Sequence, residues 1–496
     1  MVLGLLHGLP LALTQAGSYM RETNVSAAAY AKHYDSTWGR LMKKEGRFPL
    51  DEYGDRSVQT TWTISYEQVQ RRSDGAACLL KLWGFLDSGE VWYELIAACK
   101  DLAEETDVPT WLLEMAEDEL EFAEVMGLLS RYSLIDGKEG TDSYSMHSVL
   151  HRWCSSQAKD EERQALGCLA VELVESSVPS KSETEFWRKR KRIMAHGAYV
   201  SRWIVKEDKL GERQGMKTFI QPGSFYNLGY LLDDEHRQQA EQMYQRALAG
   251  YEKAWGPDHT ETLDTVNNLG LLYADLGKLE QAEHMYQRAL AGKEKAWGPD
   301  HTKTLDTVNN LGVLYADLGK LEQAEHMYQR ALAGYKKAWG PDHTKTLDTV
   351  NNLGLLYADL GKLEQAEHMY QQALAGYEKA WGPDHAKTLD TVNNLGLLYA
   401  DLGKPEQAEH MYQRALTGYA KAIHPDNLLT FIPALNNMWA FASLRESQGH
   451  IEDARQWYSQ ALLGYEKTFG QDHENCQALR NNLDALTIEE EEEEEQ

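Results

Sequence analysis

The segment YSMHSVLHRW, residues 144–153, holds two histidines four positions apart, His147 and His151. On a helix those positions share one face, which is the spacing of half a zinc site. No cysteine or carboxylate stands at ligand spacing from the pair, so a packed helix, or a sensor for a ligand bound elsewhere, suits it better. Four more histidines recur in the motif GPDH, as His259, His301, His343 and His385. They lie a whole repeat apart with no second ligand type converging, so capping or packing between repeats is their expected role. Spacing yields no Ser-His-Asp or Cys-His arrangement. A phosphate loop would read GxxxxGK[ST], whose backbone amides and lysine cradle phosphates. Here GK occurs only as GKE, GKL and GKP, and no apolar strand runs into aspartates. No catalytic residue, metal or cofactor is assigned.

A different chemistry recurs along the second half of the chain. Asp264, Asn268, Leu271 and Asp275 share one helix face, repeated as Asp306, Asn310, Val313 and Asp317. Asp348, Asn352 and Asp359 follow, then Asp390, Asn394 and Asp401, with Asn437 as a candidate fifth asparagine. An amide offers both donor and acceptor and so matches a peptide unit. The competing reading is that these asparagines only cap or solvate a polar face.

The elements that must carry this row come from internal repetition. WGPD recurs at Trp255, Trp297, Trp339 and Trp381, always 42 residues apart. The blocks 257–298 and 299–340 differ at four positions: Glu261/Lys303, Leu271/Val313, Lys293/Tyr335 and Glu294/Lys336. Each block predicts two helices. Leu263, Val266, Leu269, Gly270 and Tyr273 make one apolar stripe, which Gly277 ends as a C′ glycine. The second helix runs from Leu279 through Ala282, Met285, Tyr286, Ala289 and Leu290 to about Trp297, before Gly298-Pro299. Gly270 and Ala282 are small where the helices must approach, and Tyr273 and Tyr286 fill the space beside them. Such a hairpin cannot bury its apolar face alone, so the copies must stack into a solenoid.

The pattern N-L-G-x-x-Y followed by A-E-x-x-Y-x-x-A-L resembles the tetratricopeptide repeat, and the period and GPDH linker resemble its kinesin-light-chain subtype. The resemblance covers about residues 225–483. It implies a right-handed superhelix whose first helices line a concave, peptide-binding groove, with other proteins as partners.

Composition narrows the classes. With 50 basic against 77 acidic residues the net charge is −27, and seven glutamates form the run from Glu489 to Glu495, expected as a disordered tail. Nucleic acid and anionic membrane are poor partners for such a chain. WRKRKR, from Trp187 to Arg192, resembles a nuclear-import signal, with a solvated helix face as the favoured reading. Cys78, Cys99, Cys154, Cys168 and Cys476 form no CxxC pair and point to free thiols in a reducing, cytoplasmic setting. The apolar start lacks a basic flank and is interrupted by Pro10, which disfavours a signal peptide.

The first 205 residues are helical by pattern and not repetitive. Gly8-Leu9-Pro10-Leu11-Ala12-Leu13 resembles the GLPL box of the NB-ARC switch in STAND-type immune ATPases. AACLLKLWGFLDSGEVWYELI, residues 76–96, resembles that family's winged helix, with Trp83, Phe85, Leu86, Trp92, Tyr93 and Leu95 as its core. FAEVMGLLSRYSLIDG then leads to YSMHSVLHRW. By this resemblance Pro10 and His147 are a vestigial nucleotide sensor; Ser148 and Arg152 stand where the family carries aspartates. The expectation is a remnant of an NLR-like protein of filamentous-fungal type, without its phosphate loop.

The expected fold is all-α: a helical and winged-helix N-terminal region, a tetratricopeptide solenoid and an acidic tail. The expected divisions are 1–75, 76–205, 224–484 and 485–496, with a polar link at 206–223. The expected function is non-enzymatic recognition of an extended, basic protein segment. Two alternatives are a kinesin-light-chain-like adaptor, which would need an upstream coiled coil not found in 1–205, and a STAND ATPase with a misassigned start.

Overall fold

A computed structural model describes residue 6 and residues 10–43, 56–102, 108–180, 186–214, 220–423 and 428–495, with the side chains of 38–43, 56–58, 160, 208–214 and 488–495 excepted. Gly8 and Leu9 of the GLPL box lie outside the described residues. The chain forms two compact units, Met1–Pro257 and Asp258–Gln496.

The first unit opens with α1 (Pro10–Thr23), α2 (Ala27–Lys43), α3 (Arg56–Arg72) and α4 (Asp74–Trp83). Ser73 caps α4 by accepting the Ala76 amide at 3.1 Å, and Ala76, Leu79, Leu80 and Trp83 are buried along it. Next come β1 (Val91–Trp92), α5 (Tyr93–Ala97), α6 (Cys99–Leu102), α7 (Thr110–Glu117) and α8 (Glu119–Arg131). The hairpin β2 (Asp136–Gly137) and β3 (Ser143–Ser145) completes an antiparallel sheet of order β1-β3-β2, with Val91 opposite Tyr144 and Asp136 opposite Ser145. Trp83, Phe85, Leu86, Trp92 and Leu95 are buried here, and Tyr93 is half-buried with its hydroxyl donating to the Ala116 carbonyl at 2.8 Å.

The unit continues with α9 (Ser148–Gln157), α10 (Asp160–Ser176), α11 (Phe186–Gln214), α12 (Pro222–Leu232) and α13 (Arg237–Trp255). The hairpin of α12 and α13, with which the tetratricopeptide resemblance begins at about residue 225, is held within this unit. Asn227 donates to Glu175 at 2.9 Å and Ser201 to Gln239 at 3.1 Å. Arg190, only 5% exposed, pairs with Asp233 and Asp234 and donates to the Tyr230 carbonyl. Arg192 pairs with Glu90 and lies 4.0 Å over the Trp92 ring. Two arginines of the basic run are therefore tied into the fold of this unit.

The described residues of the second unit form five helix pairs: α14 (Thr260–Asp275) with α15 (Leu279–Trp297), α16 (Thr302–Asp317) with α17 (Leu321–Trp339), α18 (Thr344–Asp359) with α19 (Leu363–Trp381), α20 (Ala386–Asp401) with α21 (Pro405–Ala422), and α22 (Ile432–Ser447) with α23 (Ile451–Phe469). α24 (Glu474–Glu495) closes it and continues the glutamate run, expected to be disordered, as helix. Glutamate is a good helix former, so a run that follows an established helix can extend it. A Cβ on Gly270 would lie 2.8 Å from the Tyr286 ring, the close approach the sequence requires. Gly298, with φ 91°, turns the chain into the next pair. Among the described residues no helix is long and apolar enough to cross a membrane.

Candidate functional site

The two histidines of the first unit have different jobs. His151 is buried on α9, and its Nε2 lies 2.9 Å from the Trp83 carbonyl and 2.8 Å from the Leu86 carbonyl, so the ring ties α9 to the end of α4. Burial lowers its pKa. His147 is exposed and caps α9, its Nδ1 accepting from the Val149 amide at 3.3 Å. Pro10 is exposed at the start of α1, and no hydrogen bond among the described residues joins it to His147. Among the described residues there is no cluster of three or more metal-ligating side chains. Three of the four GPDH histidines are caps: His301, His343 and His385 accept from Lys303, Lys345 and Lys387 at 3.3 Å, whereas the His259 ring lies 2.6 Å from the Glu261 carboxylate instead. The three capping rings stack on Trp297, Trp339 and Trp381.

The repeated face divides into two layers. Its inner carboxylates are occupied within the array. The Tyr335 hydroxyl donates to Asp306 at 2.5 Å, and Lys345 of the next repeat pairs with the same carboxylate at 2.6 Å. Tyr377 and Lys387 hold Asp348 in the same way, at 2.6 and 2.7 Å. Asp264 takes two lysines, Lys293 at 3.0 Å and Lys303 at 2.9 Å. Burial lowers the Lys293 pKa against the pull of Asp264. Asp390 receives the Tyr419 hydroxyl at 2.6 Å but, among the described residues, no lysine ion pair, and burial raises its pKa.

The outer layer is open. Asn268, Asn310, Asn352 and Asn394 are half-buried, and Asp275, Asp317, Asp359 and Asp401 are exposed. Between them run Leu271, Val313, Leu355 and Leu397, 39–46% exposed, an unusual regularity for aliphatic side chains. Among the described residues no hydrogen bond engages the side-chain amides of Asn310, Asn352 and Asn394.

Sequence reasoning missed the neighbouring ladder. Asn267, Asn309 and Asn351 accept from Thr307, Thr349 and Thr391 of the following repeat at 2.8, 3.0 and 3.1 Å. The signal was present in the equal 42-residue repetition of both partners. It also misplaced Asn437. A four-residue insertion makes the last step 46 residues, from Gly418 to Gly464, so Asn437 takes the place of Thr391. It is fully buried and donates to Asn393 at 2.7 Å. The residue in the place of Asn394 is Ala440.

Residues 223–295, 294–337, 303–379 and 345–421 match one tetratricopeptide repeat family, and residues 446–475 a second. No curated protein matches the chain. Among solved structures, BtubC (BKLC) from P. vanneervenii is 21% identical over 46% of this chain and 90% of its own, with TM-score 0.40. A Podospora anserina kinesin-light-chain candidate with nearly identical TPR-like repeats is 19% identical over 42% of this chain and 97% of its own, with TM-score 0.36. A STAND protein with a tetratricopeptide repeat sensor from Pyrococcus horikoshii is 15% identical and covers 92% of this chain, with TM-score 0.50; this chain spans 60% of that protein's length. The C-terminal part of the chain is built of tetratricopeptide repeats.

Proposed function

We propose that the chain is a non-enzymatic recognition protein whose array takes an extended segment of another protein along the outer faces of α14, α16, α18 and α20. The observation that carries this reading is the regular alternation of amide, exposed aliphatic and exposed carboxylate, repeated in register, with the amides of α16, α18 and α20 engaged by no hydrogen bond among the described residues. Main-chain hydrogen bonds supply affinity to such a segment and alternate side chains supply specificity. The ligand is expected to be basic, because among the described residues Asp317, Asp359 and Asp401 form no ion pair, while Asp264, Asp306 and Asp348 are each paired with lysine. We take the array as residues 224–484, with the α12–α13 hairpin as its divergent first copy.

For the first unit, we read the order of α4, β1, α7, α8, the β2–β3 hairpin and α9 as a winged-helix-like module from an NB-ARC-type switch. The fold likeness to the STAND protein across most of this chain supports that reading. In it, Pro10 and His147 stand at the places of the family's sensor residues without any retained nucleotide role.

The test is binding of short, fluorescent, extended peptides rich in lysine and arginine, with neutral and acidic counterparts. The expected result is preference for the basic set, weakening as salt rises. Changing Asn310, Asn352 and Asn394 together to alanine should weaken all peptides by about tenfold or more, at about 1 kcal/mol per amide, with an unchanged thermal melt. Unaltered binding by the folded triple variant would reject the row as the binding surface.

A further inference from the structure

The row changes character at its last step. Where α20 carries Asn394, Leu397 and Asp401, α22 carries Ala440, Ser443 and Ser447, each 46 residues on. Three larger side chains are thus replaced by smaller ones, and the ridge opens into a cleft of about 680 Å³ between α20, α22 and the start of α21. Leu397, Tyr412, Leu444 and the half-buried Trp439 provide its apolar lining, and Asp401 is exposed at it. Among the described residues Asp401 has no ion pair or hydrogen-bonding side chain. Trp439 rests edge-on against Tyr465 at 6.1 Å, which fixes its ring in the wall.

We propose that this cleft seats a single arginine side chain of the extended partner and sets the register in which that partner lies. The inference rests on the array being a peptide-binding surface, and it names the residue read most strictly. A cleft lined by both a carboxylate and an indole suits a planar cation, which can pair with the one or stack on the other. Arginine fits better than lysine because its guanidinium is flat, weakly hydrated and holds several donors in a fixed fork. Its aliphatic stem would lie on Leu397 and Leu444. An acidic side chain is excluded by Asp401, and a purely apolar one would leave that carboxylate desolvated without a partner. The four regular repeats carry asparagine, leucine or valine, and aspartate in these places, so the end of the array differs from the near-identical repeats and supplies a unique position.

The experiment compares matched extended peptides holding one central arginine, lysine or citrulline, titrated into the full chain. Citrulline keeps the shape and removes the charge. The expected order is arginine over lysine over citrulline, with about tenfold between the extremes. Asp401→Asn should reduce that span to under about twofold. So should the filled variant Ala440→Asn, Ser443→Leu, Ser447→Asp, which restores the side chains that the regular repeats tolerate. Equal affinity for all three peptides in the unaltered chain, or a span kept by both folded variants, would overturn the proposal. The triple asparagine variant separates this inference from the reading it rests on. If it weakens every peptide equally but no arginine preference exists, the row stands and the cleft does not. If the preference persists while that variant changes nothing, the cleft stands and the row does not. Absence of binding to every peptide would remove both.

Discussion

At the scale of the residue, the histidines show how far a motif alone can be read. The spacing of His147 and His151 predicts a shared helix face, yet one caps the helix and the other is bonded to carbonyls more than sixty positions earlier. That partnership depends on α4 ending beside α9, which no local pattern encodes. His196 extends the point, since nothing in its neighbourhood in sequence marks it. Its Nδ1 accepts from the Asp87 amide at 3.0 Å and its Nε2 donates to the Glu90 carbonyl at 2.6 Å. Burial lowers its pKa to about 4, against the opposing pull of Asp87 and Glu90. The unfolded chain therefore binds this proton between pH about 6.5 and about 4 while the folded one does not. Stability from this site is complete above about pH 6.5 and is lost as pH falls toward 4, on the order of 3 kcal/mol in all. Melting the first unit across that range should show the decline, and His196→Gln should flatten it. An equally steep profile in the variant would assign the loss to other groups.

At the scale of the element, helix pairs and their packing were legible because the apolar stripe and the small-large pairing of Gly270 with Tyr286 recur without change through the first four pairs of the second unit. The inner carboxylates were not, because their partners lie on the next copy. Asp306 and Lys345 are 39 residues apart, and a period of 42 hides which repeat each side chain serves. Natural variation within the array supplies a control for this contact. Pro433 occupies the place where Lys387 would pair, so Asp390 keeps its tyrosine but loses its lysine. One repeat later the position is already amide: Asn436 accepts the Tyr465 hydroxyl where Asp390 accepts that of Tyr419. Asp390→Asn should accordingly be neutral or stabilising by about 1 kcal/mol, since it removes a desolvated charge and keeps the hydrogen bond. Asp348→Asn should cost about 1 kcal/mol, because Lys387 loses its counter-ion at a half-buried site. Chemical denaturation of the two variants checks the sign of the difference. Equal losses would mean that the lysine contributes nothing to the clamp.

At the scale of the whole molecule, the sequence points to a polar link at residues 206–223, and the α12–α13 hairpin that follows it falls within the compact unit Met1–Pro257. The reason lies in contacts that repeat detection ignores. The α12–α13 hairpin carries the repeat pattern on one side, yet Arg190, Glu175 and Ser201 of the preceding helices bind its polar side chains. A pattern search registers the shared apolar stripe and not the divergent polar face. Inside the second unit the opposite holds, and near-identity makes a sharp statement about energetics. A solenoid whose repeats touch only their neighbours has a stability close to a sum of repeat and interface contributions. Removing residues 299–340 would join Gly298 to Pro341 and recreate the same linker, the same histidine cap on α18 and the same lysine-to-aspartate pairing across the new junction. The shortened chain is expected to fold with a single cooperative transition. Its melting temperature should fall by a few degrees rather than collapse, as one repeat and one interface are lost. Circular dichroism melts of the two lengths decide this. Loss of cooperativity, or a precipitous drop, would show that the repeats differ energetically despite their sequence. The same deletion would shorten the outer row by one asparagine and leave the cleft at Trp439 untouched, so peptide affinity should fall while arginine selectivity remains.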